Sequence, residues 1–110
     1  MQALVEPLIS ELLEDDPGMA GLIGQFVDKL PAMIAELGAL HAQAAWPALG
    51  DRLHDLKGLG GGYGYHQLSE VAILMEADLR NAKYEQIPVR VESLQQLLHR
   101  IQLGLESTGS

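Results

Sequence analysis

The chain has no cysteine among its 110 residues. Disulfides, thiol nucleophiles and thiolate metal sites are therefore excluded, and the composition fits a reducing compartment. Positive charge is scarce: 7 Lys and Arg stand against 15 Asp and Glu, a formal net charge of −8. That balance disfavours nucleic-acid binding and attraction to anionic membranes, and suits a partner with a basic rim. No uninterrupted apolar run reaches the roughly 18 residues of a membrane span. The start lacks the basic and apolar parts of a signal peptide, because Glu6 and Pro7 come early. A cytoplasmic chain that does not insert into membranes is expected. No stretch alternates at period two, so no sheet is expected, and no repeat or low-complexity tract is present. The length allows one domain with one modest core.

What remains is helical periodicity. Leu4, Val5, Leu8, Ile9, Leu12 and Leu13 mark a short amphipathic helix that ends at Asp15-Asp16-Pro17-Gly18. Asp16 is a candidate N-cap for the next helix, with Pro17 at its first position. That second helix is the longest, with Met19, Leu22, Ile23, Phe26, Val27, Leu30, Ile34, Leu37 and His41 along one stripe. Pro31 interrupts it, but the stripe resumes in phase at Ile34, so a kink rather than a break is expected. Ala42 to Ala45 form a short connection, and Pro47 falls in the first turn of a third helix. A fourth helix follows Tyr65, with Leu68, Val71, Ala72, Met75 and Leu79 facing in and Asn81 near its end. The last begins around Pro88 and carries Ile87, Val91, Leu94, Leu98, Ile101 and Leu105, the seam of helices crossing at about 20°. Short connections make successive helices antiparallel neighbours. The fold expected is all-α: an antiparallel up-and-down four-helix bundle with an extra short N-terminal helix. It occupies residues 1–106 as a single domain, with 107–110 as a disordered tail.

The stretch from Asp51 to Gly64 stands apart. Trp46, Leu49, Leu53, Leu56, Gly60 and Tyr63 share one helix face, which leaves His54 on the solvent side. Lys57, Gly58 and Gly61 follow His54 at three, four and seven residues and lie beside or near it on the helix surface. Five of the seven residues from Gly58 to Gly64 are Gly. Each Gly inside a helix costs roughly 0.8–1 kcal/mol against Ala. Either the helix stops near Gly58 and a flexible loop begins, or side chains are kept away so that a bulky partner can approach His54.

His54-Asp55-Leu56-Lys57-Gly58, then Gly64 ten residues after the histidine, then Leu68 and Met75-Glu76, resembles the histidine-containing phosphotransfer (HPt) domain family. Met75 stands where that family prefers Leu, and Gly60, Gly61 and Gly62 replace small polar residues often found there. The resemblance implies a four-helix bundle that takes a phosphoryl group from a receiver-domain aspartate and passes it to another receiver. His54 then matches the phosphoacceptor, Lys57 its charge partner, Gly58 and Gly64 the small positions, and Leu56 the motif's apolar residue. A free imidazole titrates near 6.5 and is a nucleophile in its neutral form. Lys57 would offset charge on the phosphorylated form, whereas Asp51 and Asp55 on the same broad face would oppose it. Gly58, Gly61, Asp55 and Asp51 are the candidate docking residues. Partners implied are the receiver of a response regulator or a hybrid sensor kinase. Mg²⁺ is expected in the receiver, and no cofactor or metal on this chain, which is expected to be a monomer.

The other readings are narrower. His41 continues an apolar stripe and suits packing or capping. His66 fits the turn before the fourth helix and His99 a solvated surface. His54 and His66 could in principle share a metal, but the chain has neither a helical i, i+4 His pair nor a His-Glu-x-x-His run, so no metal site is expected. The glycines lack the Lys-Ser/Thr of a phosphate-binding loop. A stand-alone enzyme would need a second catalytic group, and none is evident. The alternative to a relay is an interaction module that binds a regulator or enzyme through the His54 surface without transfer.

Overall fold

The structure is a computed structural model, and it describes residues 5–108. Five helices follow in order: α1 Glu11–Asp15, α2 Ala20–Ala42, α3 Trp46–Gly62, α4 His66–Arg80 and α5 Ile87–Thr108. Single 3₁₀ turns at Pro17–Met19 and Tyr84–Gln86 lead into α2 and α5. No strand occurs among the described residues. The long helices form the expected four-helix bundle: α3 packs on α2 and α4, α4 on α5, and α5 closes back onto α2.

The apolar stripes are what the bundle buries. Ile23, Phe26, Val27, Leu30, Ile34 and Leu37 come from α2, and Leu49, Leu53 and Leu56 from α3. Leu68, Ala72 and Met75 come from α4, and Ile87, Leu94 and Ile101 from α5. A fully buried Leu or Ile contributes about 1.5–3 kcal/mol, so this shared core outweighs local propensity. It carries α2 unbroken through Pro31, whose ring lies on the exposed side. Leu22 does not join the stripe; it is 52% exposed, because Ile23, Phe26 and Val27 take the inward positions at that end.

Helices α2, α3 and α4 all end in a Schellman motif. Ala45 N donates to Leu40 O at 2.9 Å, Tyr65 N to Gly60 O at 2.8 Å and Lys83 N to Asp78 O at 2.8 Å. The left-handed residues are Ala44 (φ 53°), Gly64 (φ 79°) and Ala82 (φ 54°). Gly64 is glycine for a further reason: a Cβ there would lie 2.8 Å from the Leu12 nitrogen and 2.9 Å from that of Glu11. Asp16 caps the 3₁₀ turn that leads into α2, its Oδ1 accepting from Gly18 N at 2.9 Å, whereas α2 itself, expected to start at Pro17, begins at Ala20.

The N-terminal helix is shorter than its periodicity suggested. It starts at Glu11, and residues 5–10 have no regular secondary structure; Leu4 lies outside the described residues. Pro7 lacks a backbone donor and favours extended backbone before it. Leu8 N is committed to Arg100 O at 2.9 Å, and the buried Ser10 caps α1 by accepting from Leu12 N at 3.1 Å. At the other end α5 continues through Thr108, two residues past the boundary expected at 106, since no Gly or Pro stands between Leu105 and Thr108. Gly109 and Ser110 fall outside the described residues. A buried charge also went unforeseen: Asp78, 5% exposed, accepts from Arg90 Nε at 3.1 Å and ties α4 to α5.

Tyr65 is 1% exposed, and its hydroxyl has no hydrogen-bond partner among the described residues. Burial pushes its phenol up from 10.0 to about 12. The unfolded chain therefore loses this proton first as pH rises. Stability tied to the group is complete below pH 10.0 and falls as the pH climbs toward about 12. Tyr65→Phe is expected to keep the fold, to gain about 1 kcal/mol by removing an unpaired buried hydroxyl, and to lack that alkaline decline. Urea titrations of both proteins across this pH range check it.

Candidate functional site

Helix α3 is held from behind. Leu49, Leu53 and Leu56 are each no more than 1% exposed, which turns Asp51, Arg52, His54, Asp55, Gly58 and Leu59 outward. The helix stays regular through Gly58, Gly60, Gly61 and Gly62 and is capped at Tyr63, so the flexible-loop reading of the glycines is overturned. Helix α4 supplies the reason. Ser69 Oγ donates to Lys57 O at 2.6 Å, and the helices touch where Gly60 meets Leu68 and Ser69. A Cβ on Gly60 would sit 3.0 Å from Leu68 Cβ and 3.0 Å from the Ser69 nitrogen. Gly60 therefore serves close packing. Gly58 does something else: it is exposed, with nothing within 4 Å of a Cβ built on it. Gly61 is exposed too, but its Cβ position lies 3.6 Å from Ser69 Oγ, on the α4 side.

His54 is exposed, and its imidazole makes no hydrogen bond or ion pair among the described residues. It lines an open groove between α2 and α3 together with Met33, Glu36, Arg52, Asp55, Gly58 and Leu59. Arg52 bridges the two helices, with Nε 2.8 Å from Glu36 Oε1 and Nη1 3.1 Å from Asp55 Oδ2. Lys57 is turned the other way: its Nζ lies 3.0 Å from Oε1 of Glu76 on α4. The Glu76 carboxylate is largely covered, its side chain 18% exposed, so it holds the ammonium against α4. The structure thus brings His54, Asp55 and Gly58 into one groove. Asp51 is exposed outside that groove, Gly61 and Lys57 lie toward α4, Leu56 is core and Gly64 forms the turn. Sequence reading quoted Glu76 as part of a motif but gave it no partner, and it missed Arg52 and Glu36. Their only signal is an outward position at helical spacing.

The other histidines are engaged elsewhere or solvated. His41 Nε2 donates to Tyr84 O at 2.9 Å and meets Trp46 edge-on, while Trp46 stacks on Tyr84 with ring centroids 4.1 Å apart. His66, the first residue of α4, lies with Nδ1 2.6 Å from Glu11 Oε1, and His99 is exposed. Among the described residues no three His, Asp or Glu side chains gather as a metal site would need, and no helix is long and apolar enough to cross a membrane.

The fold is an all-α bundle with the exposed His54 imidazole on the outer face of α3. The family model of the Hpt domain matches residues 21–104, and the chain belongs to that family. Its members act in phosphotransfer within two-component signalling. The match spans α2 to α5 and leaves α1 outside. Neither curated proteins nor solved structures gave a match.

The two kinds of glycine separate experimentally. Gly58→Ala fills open space within a helix and is expected to raise stability by up to about 1 kcal/mol. Gly60→Ala pushes against α4 backbone and is expected to lower it by about 1–3 kcal/mol. Thermal melts of the two variants, read against the native chain, provide the comparison.

Proposed function

We infer that this chain is a phosphorelay intermediate. His54 accepts a phosphoryl group from a receiver-domain aspartyl phosphate and passes it to another receiver. The observation that carries the reading is the unpartnered His54 imidazole on a helix locked from behind, one turn from the cleared surface at Gly58. In the forward step an imidazole nitrogen attacks phosphorus, the acyl-phosphate P–O bond breaks, and the aspartate leaves as a carboxylate. The onward step is the reverse reaction on a second aspartate. The aspartate and Mg²⁺ belong to the receiver, so this chain acts as a carrier and not as a stand-alone catalyst. It works as a monomer in the cytoplasm.

Lys57 offsets the added charge, which is about −1.5 to −2 for a phosphoryl group near neutral pH. Glu76 competes for the same ammonium, 3.0 Å away. The stabilisation Lys57 gives the phosphorylated form is therefore partial. Gly58 leaves room for the receiver to bring its aspartate to bonding distance. Asp51, Asp55 and Gly61 form the surrounding contact surface.

The decisive experiment is incubation with phosphorylated receiver domains and a search for label on this chain. The label is expected on His54, labile to acid and stable to alkali. His54→Gln is expected to abolish it and to change stability by no more than about 0.5 kcal/mol, since the side chain faces water. Labelling that persists in this variant would place the acceptor elsewhere. Receiver binding with no label on the native chain would instead identify an interaction module. Lys57→Ala is expected to shorten the lifetime of the phosphorylated chain or slow transfer while receiver binding persists; equal lifetimes and rates would remove Lys57 from the mechanism.

A further inference from the structure

We propose that the groove beside His54 selects its receiver by charge: Glu36, Arg52 and Asp55 form an acid-dominated rim, and the receiver that docks there sets a basic side chain against it. The proposal rests on the reading of His54 as phosphoacceptor and names what kind of receiver that site takes.

Arg52 lies two residues before His54 and carries one positive charge between two carboxylates. Its Nε contacts Glu36 Oε1 at 2.8 Å and its Nη1 contacts Asp55 Oδ2 at 3.1 Å. The second oxygen of each carboxylate makes no hydrogen bond among the described residues. A carboxylate accepts several hydrogen bonds, so the rim keeps acceptor capacity on both helices. Its three side chains are all about half exposed, between 51% and 53%, within reach of a docked partner. The rim carries a net negative charge, and the exposed Asp51 on the same helix adds to it. Lys57 does not cancel this charge, because its ammonium is paired with Glu76 on the opposite side of α3. Beyond the rim the groove turns apolar, with Met33 and the 37%-exposed Leu59.

Arg52 also joins the two helices across the rim. It bridges Glu36 of α2 and Asp55 of α3, so the two carboxylates lie close together on the rim. A receiver with an acidic face meets unpaired acceptors there and is turned away. A basic group on the receiver joins a charge network that lacks one cation. Rim charges act chiefly on association rate and its salt dependence. Selection of this kind therefore works at encounter and leaves the chemistry at His54 alone. A second copy of this chain is a poor occupant, because the whole chain carries −8.

The test compares the native chain with the double variant Glu36→Gln/Asp55→Asn against a panel of purified receiver domains with basic or acidic contact faces. Association rate is measured by stopped flow at low and high NaCl, and His54 labelling is followed in parallel. Melting of the variant serves as the fold check; exposed ion pairs contribute little stability, so it should match the native chain. The native chain is expected to associate faster with basic-faced receivers, with a rate that falls as salt rises. The variant is expected to lose about tenfold or more of that rate at low salt, and to meet the native rate at high salt. Equal rates for native and variant at low salt overturn the proposal. Faster native association with acidic-faced receivers, or salt-sensitive self-association seen in sedimentation, also overturns it. The two readings fail separately. Charge-selective binding without label on His54 sinks the relay and leaves the rim, whereas label on His54 with binding indifferent to both substitutions sinks the rim and leaves the relay.

Discussion

The contact of Gly60 with Leu68 and Ser69 is the constraint on which the site depends. It lets α3 and α4 approach so closely that a single added methyl would meet α4 backbone at 3.0 Å. Without it, the run from Gly58 to Gly62 would have little reason to stay helical, since each glycine costs roughly 0.8–1 kcal/mol against alanine. With it, Ser69 reaches across to the Lys57 carbonyl at 2.6 Å and braces the turn that follows His54. The buried Leu49, Leu53 and Leu56 do the same from the core side. A nucleophile placed on such a helix keeps its bearing while the glycine at position 58 leaves the approach open. Different glycines of one run thus meet different surroundings: Gly60 packs against α4, and Gly58 faces open space.

The far end of α3 is closed by the segment before the bundle. Ser10 Oγ donates to Tyr63 O at 2.6 Å, and Glu11 N donates to Gly64 O at 3.0 Å. Gly64 and Gly104 both sit where the passing backbone leaves no room for a Cβ; at Gly104 it would lie 2.9 Å from the Leu8 carbonyl carbon. Leu8 itself completes the core. The Hpt domain match begins at residue 21, so this strap lies outside the matched span, yet it packs on residues inside it. Its bonds fix the Schellman turn of α3, and through that turn the helix that carries His54.

Much of this was legible in the sequence because it repeats at helical period. The stripes of α2 and α5, and the outward placement of His54 from the Leu49-Leu53-Leu56 face, followed from spacing alone. What stayed hidden depends on partners distant along the chain. Residues 5–10 read as helix because Val5, Leu8, Ile9 and Leu12 keep helical spacing, but Leu8 meets Arg100 and Ser10 meets Tyr63. The glycine run leaves a loop open beside the favoured cleared surface, and neither reading contains the α4 contact that Gly60 makes. Asp78 sat within an inward-facing pattern with no sign of Arg90. Spacing places Lys57 beside His54, but periodicity says which residues share a surface and not which acid claims a charge, and Glu76 on α4 claims this one. Arg52 was passed over for the same reason, since Glu36 lies on another helix.

These pairings bear on how tightly a phosphoryl group would be held. The cations nearest to His54 in sequence are Arg52 and Lys57, and each is already matched by a carboxylate. A phosphoryl group on His54 would add about −1.5 to −2 to a face that also holds Asp51 and Asp55. Two unit charges about 4 Å apart interact by about 1 kcal/mol in water and by about 4 kcal/mol at a protein surface of lower effective dielectric. Attraction to Lys57 would act against that repulsion, and Glu76 already claims the Lys57 ammonium at 3.0 Å. A storage site would leave its cations unpaired and waiting for the phosphate. Here both are paired beforehand, so under the proposed relay a phosphoryl group on His54 would have to compete with Glu36, Asp55 and Glu76 for them.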